Sequence, residues 1–180
     1  MDITTVIIAC KNGDRNAFRE LMNGYSDFAF SVAFRILNKE EESQDVVQES
    51  FITVWEKIKS FKIEKNFSNW LYRIIVNKCY DALRKNKAVM LHPDAQQWEY
   101  NKLISDQNPE QELNNKELGI MIRTLTKNLS YKQKVVYILS ELEGLSHDTI
   151  AEVTGLAKTS IKSNLNHARR NIGEVLKKHL

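Results

Sequence analysis

Two prolines and six glycines punctuate 180 residues, too few turn-formers for a chain of many short strands. No stretch alternates apolar and polar residues between turn signals, and helix formers dominate throughout, so strands are not expected. The two cysteines, Cys10 and Cys79, lie far apart with no metal-ligand spacing, which excludes a disulfide framework and a zinc site and leaves reduced, half-buried thiols. No run of about 18 apolar residues is present, so stable membrane insertion is excluded. The first residues, MDITTVIIACKNGDR, lack a basic leader and a small-residue cleavage site, and a cytoplasmic protein is expected. There is no carboxylate cluster, no Ser/His/Asp or Cys/His constellation and no glycine-rich phosphate loop. No catalytic residue, metal or cofactor is therefore expected.

What is present is segregated charge. Net charge is +3 overall, but residues 1–60 sum to −3, 61–91 to +5, 92–125 to −3 and 126–180 to +4. Two basic blocks parted by an acidic spacer point to two separate contacts with a polyanion.

Helical periodicity runs through both ends. Thr4 to Lys11 reads as a short helix stopped by Asn12-Gly13, and Asp14 as the cap of the next, with Phe18, Leu21 and Met22 inward. Ser26 to Leu37 carries Phe28, Val32, Phe34 and Ile36 and ends at Asn38. Glu40, Glu41 and Glu42 then suit the first turn of a helix whose buried stripe is Val47, Phe51, Val54, Trp55 and Ile58. Its exposed stripe, Asp45, Gln48, Glu49, Ile52 and Glu56, sets one apolar residue among acids and an amide. After a loop from Ser60 to Phe67, Ser68 is the expected cap of a helix reaching about Lys85. Leu71, Ile74, Ile75, Cys79 and Ala82 turn inward there, and Arg73, Asn77, Asp81, Arg84 and Lys85 outward. Lys62, Arg73, Lys78, Arg84 and Lys85 are interleaved with Phe61, Phe67, Trp70, Tyr72 and Tyr80, a basic, aromatic face for a partner different from that of the acidic stripe.

Residues 88–111 hold both prolines and no sustained period, and read as an interdomain linker. Beyond it, Glu112 to Thr126 is expected to be one helix, Ser130 to cap another that stops at Gly144, and Ser146 a third. From Ser146 to Ile172, small Ala151, turn-permitting Gly155 and apolar Ile161 fall at helix-turn-helix spacing. The second helix keeps Ile161, Leu165, Ala168, Ile172 and Val175 on one side. Lys162, Ser163, Asn166, Arg169 and Arg170 face away, as a major-groove recognition helix requires. His167 lies beside that face; the other histidines offer no matching metal cluster.

Both ends together resemble one family. DVVQESFITVWEKIKSFKIEKNFSNWLYRIIVNKCYDALRK is similar to sigma region two, and LSYKQKVVYILSELEGLSHDTIAEVTGLAKTSIKSNLNHARR to sigma region four. These two regions with little between them resemble the extracytoplasmic-function (ECF) sigma factors of bacterial transcription initiation. The resemblance implies an all-α chain of two small helical domains joined by a flexible linker, the second a helix-turn-helix domain. The expected bounds are 1–87, 88–111 and 112–180.

The resemblance also implies partners. Asp45, Gln48, Glu49 and Ile52 are expected to bind the β′ clamp helices of core RNA polymerase, with the β flap as a second polymerase contact. Lys62, Asn66, Phe67, Asn69, Trp70, Arg73, Asn77, Arg84 and Lys85 are expected on the opened minus-ten element of promoter DNA. Thr159, Ser160, Lys162, Ser163, Asn164, Asn166, His167, Arg169 and Arg170 are expected on the minus-thirty-five element. An anti-sigma factor is the further implied partner, and a linker over 88–111 permits the domains to close on it or on each other. Ile63 stands where the family often has glycine, which implies a different minus-ten loop shape. Asn164 and His167 stand where arginine is frequent, so the recognition helix has fewer permanent charges. The competing expectation is a polymerase-independent helix-turn-helix regulator, which leaves the acidic stripe without a partner.

Overall fold

A computed structural model describes residues 2–90, 121, 124–126 and 128–179, and among these every regular element is helical. The expected linker and most of the helix expected over 112–126 lie outside the described residues; residues 124–126 are helical.

Helix α1 (Ile3–Lys11) ends at Asn12, and Gly13 supplies the turn at φ 87°. The Asp14 carboxylate accepts the backbone N–H of Asn16 at 2.8 Å and of Ala17 at 3.1 Å, starting α2 (Arg15–Leu37). The segments expected before and after Ser26 are thus one 23-residue helix, closed by left-handed Asn38. Helix α3 (Glu40–Lys57) has no side-chain cap; its three leading glutamates face the positive end of the helix dipole. It buries Phe51 and Val54 as expected, together with Ser43, Val46 and Ser50, while Val47 and Trp55 are half-buried. A 3₁₀ turn (Ile58–Ser60) leads through a loop into α4 (Phe67–Met90).

Helices α1 to α4 enclose a core of Leu21, Val32, Ile36, Val54, Ile58, Leu71 and Ile75, each at most 2% exposed. Burying one such side chain contributes about 1.5–3 kcal/mol.

Helix α5 (Tyr131–Tyr137) opens on a reciprocal capping box: the Gln133 N–H donates to Ser130 Oγ, and the Ser130 N–H to Gln133 Oε1. It runs straight into a π-helical turn, Ile138–Leu142, which no sequence signal announced. Helix α6 (His147–Thr154) is capped by Ser146 and ends at Gly155, whose φ of 72° an L side chain resists. Helix α7 (Lys158–His179) completes the helix-turn-helix, with Ile161, Leu165, Ala168 and Ile172 buried. Helix α6 packs on both α7 and α4, and one apolar cluster runs unbroken from Val6 to Leu165. The two halves therefore lie against each other, with α4 as the shared element.

Candidate nucleic-acid interface

Helix α3 presents Asp45, Gln48, Glu49 and Ile52 to solvent, and Ile52 is 58% exposed. Lys78 of α4 donates to Glu49 at 3.1 Å, tying the stripe to the next helix. Beside Ile52 opens an apolar groove of about 700 Å³. Its walls include Phe18 and Met22 of α2 together with Phe51 and Trp55 of α3, and Arg15 and Arg19 stand at its edge. The α2 contribution could not be read from α3's own pattern; it needs the packing of two helices.

The basic loop leaves Lys62, Ile63, Glu64, Lys65 and Asn66 exposed over an aromatic floor. Phe61 and Phe67 are buried, and their rings lie 4.8 Å and 5.8 Å from that of half-buried Trp70. Tyr25 packs against Phe67 from α2 at 5.0 Å. Phe67, also expected on the strand, is 5% exposed here and anchors the loop to the aromatic floor. Asn66, not Ser68, caps α4, its Oδ1 accepting the Asn69 N–H at 3.1 Å. Arg73, Asn77, Arg84 and Lys85 are exposed, with Arg84 3.5 Å from Asp81. Positions 73, 77 and 84 share one side of α4, a basic stripe beside the aromatic floor.

On α7, Thr159, Lys162, Ser163, Asn166, His167, Arg169 and Arg170 are exposed. Asn164 is half-buried and its amide donates back to Ser160, to the carbonyl at 2.8 Å and to Oγ at 3.2 Å. That commits the Asn164 amide N–H groups within the helix, while the Ser160 hydroxyl, which only accepts, keeps its own O–H. Arg169 is held by Glu141 of the π turn at 2.8 Å, and Arg170 contacts the His167 ring at 3.3 Å.

Between the halves, Glu143 accepts from the Arg35 guanidinium of α2 and, at 2.8 Å, from the Tyr72 hydroxyl of α4. Burial and then this carboxylate hold the Tyr72 phenol well above its ordinary range. Tyr131 donates to the Val76 carbonyl at 2.6 Å, and its ring lies 5.1 Å from that of Tyr80. Burial likewise raises the Tyr131 phenol, and pushes the Cys79 thiol up to about 12. Among the described residues no cluster of His, Cys, Asp or Glu could hold a metal, and no helix is long and apolar enough to cross a membrane.

An exposed acidic stripe, a basic aromatic helix and a helix-turn-helix thus lie on one chain. Comparison with known proteins gives the class. The model of Sigma-70 region 2 matches residues 21–89, and that of Sigma-70, region 4 matches residues 120–172. The ECF RNA polymerase sigma factor SigW of Bacillus subtilis is 31% identical over 176 residues, covering 94% of this chain and 92% of the relative. The ECF RNA polymerase sigma-E factor of Haemophilus influenzae is 33% identical over 168 residues, covering 90% and 88%. Among solved structures, the sigma factor RpoE of Bartonella quintana, in complex with the anti-sigma factor NepR, superposes with a TM-score of 0.70. Its identity is 26%, over 89% of this chain and 96% of that one. CnrH, in complex with the cytosolic domain of CnrY, shares the fold at a TM-score of 0.72 and 21% identity, over 98% and 99%. The chain belongs to the ECF RNA polymerase sigma factors.

Proposed function

We propose that the chain binds core RNA polymerase through Asp45, Gln48, Glu49 and Ile52 and directs it to promoters. The observation that carries this is the exposed apolar Ile52 amid acidic and amide side chains, set beside an aromatic-walled groove. An anchor of that kind, ringed by polar groups, suits a protein partner rather than solvent. Lys62, Asn66, Asn69, Trp70, Arg73, Asn77, Arg84 and Lys85 serve the opened minus-ten strand, where unstacked bases are taken up by aromatics and amides and the backbone by cations. Thr159, Lys162, Ser163, Asn166, His167, Arg169 and Arg170 serve the minus-thirty-five duplex. The division of labour falls at 1–87 and 112–180, with 88–111 between.

No group here performs bond chemistry in this reading; melting is driven by binding, and the protein works where polymerase and DNA are, in the cytoplasm. The complex of RpoE with NepR supports an anti-sigma factor as a further partner. Run-off transcription with purified core polymerase over genomic promoters tests the function. Transcripts that depend on added protein are expected; their absence across the panel would refute it. A polymerase-independent regulator would not co-purify with core enzyme.

A further inference from the structure

Three donors of the N-terminal helices end on carboxylates of the C-terminal ones. The Arg35 guanidinium and the Tyr72 hydroxyl both reach Glu143, whose side chain is only 11% exposed, and the Asn69 amide reaches Glu152 at 3.3 Å. Tyr72 and Asn69 lie on α4, the helix assigned to the opened strand, and Arg35 approaches from α2. Nearby, Tyr131 closes the seam on the Val76 carbonyl.

This closed arrangement cannot serve a promoter. Minus-ten and minus-thirty-five elements stand about 25 base pairs apart, roughly 85 Å along B-form DNA. A compact chain of 180 residues has a radius of gyration of about 16 Å and spans roughly 40 Å. The helix-turn-helix must therefore leave α4 before both elements are held. Once it does, Arg35, Tyr72 and Asn69 lose their anionic partners beside the path of a polyanion. A guanidinium donates to carboxylate or phosphate oxygens with the same geometry.

We propose that Glu143 is an intramolecular stand-in for a DNA phosphate. It closes the C-terminal helices over α4 on Arg35 and Tyr72, and those donors pass to the backbone of the opened strand when the chain extends. Glu152 does the same more weakly on Asn69. The closed state leaves Asp45, Gln48, Glu49, Ile52 and the outer face of α7 exposed, and the α4 residues Arg73, Asn77, Arg84 and Lys85 as well, so what opening adds to the strand site is the set of donors held in the seam, Arg35, Tyr72 and Asn69. This rests on the minus-ten reading of α4.

The test measures the affinity of the full chain for a short randomised single-stranded DNA, with small-angle scattering in parallel. Glu143→Gln should tighten binding roughly tenfold, about the effect of removing one charge-assisted competitor, and enlarge the radius of gyration. Glu152→Ala, at an exposed side chain, should shift both in the same direction by less. Adding Arg35→Gln to Glu143→Gln should reverse the gain and reduce the salt slope by about 0.7. Unchanged affinity and size in both glutamate variants would overturn the latch, and an unchanged salt slope on losing Arg35 would overturn the phosphate assignment. If Glu143→Gln loses helix content by circular dichroism, Glu152→Ala decides alone. Promoter-dependent run-off by the wild-type chain judges the sigma reading separately and stands whether or not the latch does.

Discussion

The rings of Phe18 and Trp55 meet at 4.8 Å, tilted by 57°, and so join α2 to α3 directly behind the exposed acidic stripe. The stripe is held at a fixed angle by that contact, and the groove beside Ile52 exists because of it.

Ile52→Ala should weaken binding to core polymerase by about 1–2 kcal/mol, as expected of an apolar anchor at an interface centre. At 58% exposure in the free chain, the same change should move stability by less than about 0.5 kcal/mol. Binding kinetics on immobilised core enzyme and a thermal melt separate the two.

Asp45→Ala together with Gln48→Ala should reduce polymerase binding and leave affinity for minus-thirty-five duplex unchanged, because both side chains lie on α3, remote in sequence from the helix-turn-helix. Parallel titrations with polymerase and duplex check this.

Lys162→Ala should weaken duplex binding at all sequences and reduce the salt slope by about one. Asn166→Ala should change sequence preference more than Asn164→Ala, since the Asn164 amide is already bonded to Ser160. Selection from a randomised duplex library reads both effects.

Gly155→Ala should cost about 1–2 kcal/mol of stability. An added Cβ meets nothing within 4 Å, so the cost is backbone strain at φ 72° and not a clash. A denaturant melt reads it.

Cys79, fully buried and raised to about 12 from 9.0, should resist a thiol reagent in the native chain and react on unfolding. The unfolded thiol loses its proton first as pH rises, so this group's stabilising contribution is intact below about 9 and falls away between about 9 and about 12. Labelling with and without denaturant, and melts across that range, check it.

The sequence spoke clearly wherever a local rule decided the outcome. Asp14, Ser130 and Ser146 cap their helices as their positions require, and Gly155 turns where the helix-turn-helix spacing placed it. It failed where two rules competed. Asn66 and Ser68 are both capping residues, and the choice fell to Asn66 because the buried Phe67 draws the helix start toward the aromatic floor. Phe67 itself was ambiguous, since an aromatic that stacks on a base and one that anchors a loop look alike in sequence. Val46 is buried and Val47 only half-buried while Phe51, Val54 and Ile58 stay in the core, so the buried face of α3 is broader than the single expected stripe. Glu143 was illegible for a different reason: its partners lie 108 and 71 residues away.

The π turn at Ile138–Leu142 sends Glu141 to Arg169 of the recognition helix, while Glu143, just past its end, goes to Arg35 and Tyr72. One wide turn thus acts as a junction with an electrostatic tether on each side. Deleting a single residue there would tighten it to an ordinary α-turn and swing the helix-turn-helix by about 100°. Both tethers would then be lost together, so the length of this turn sets how α7 is coupled to the rest of the chain.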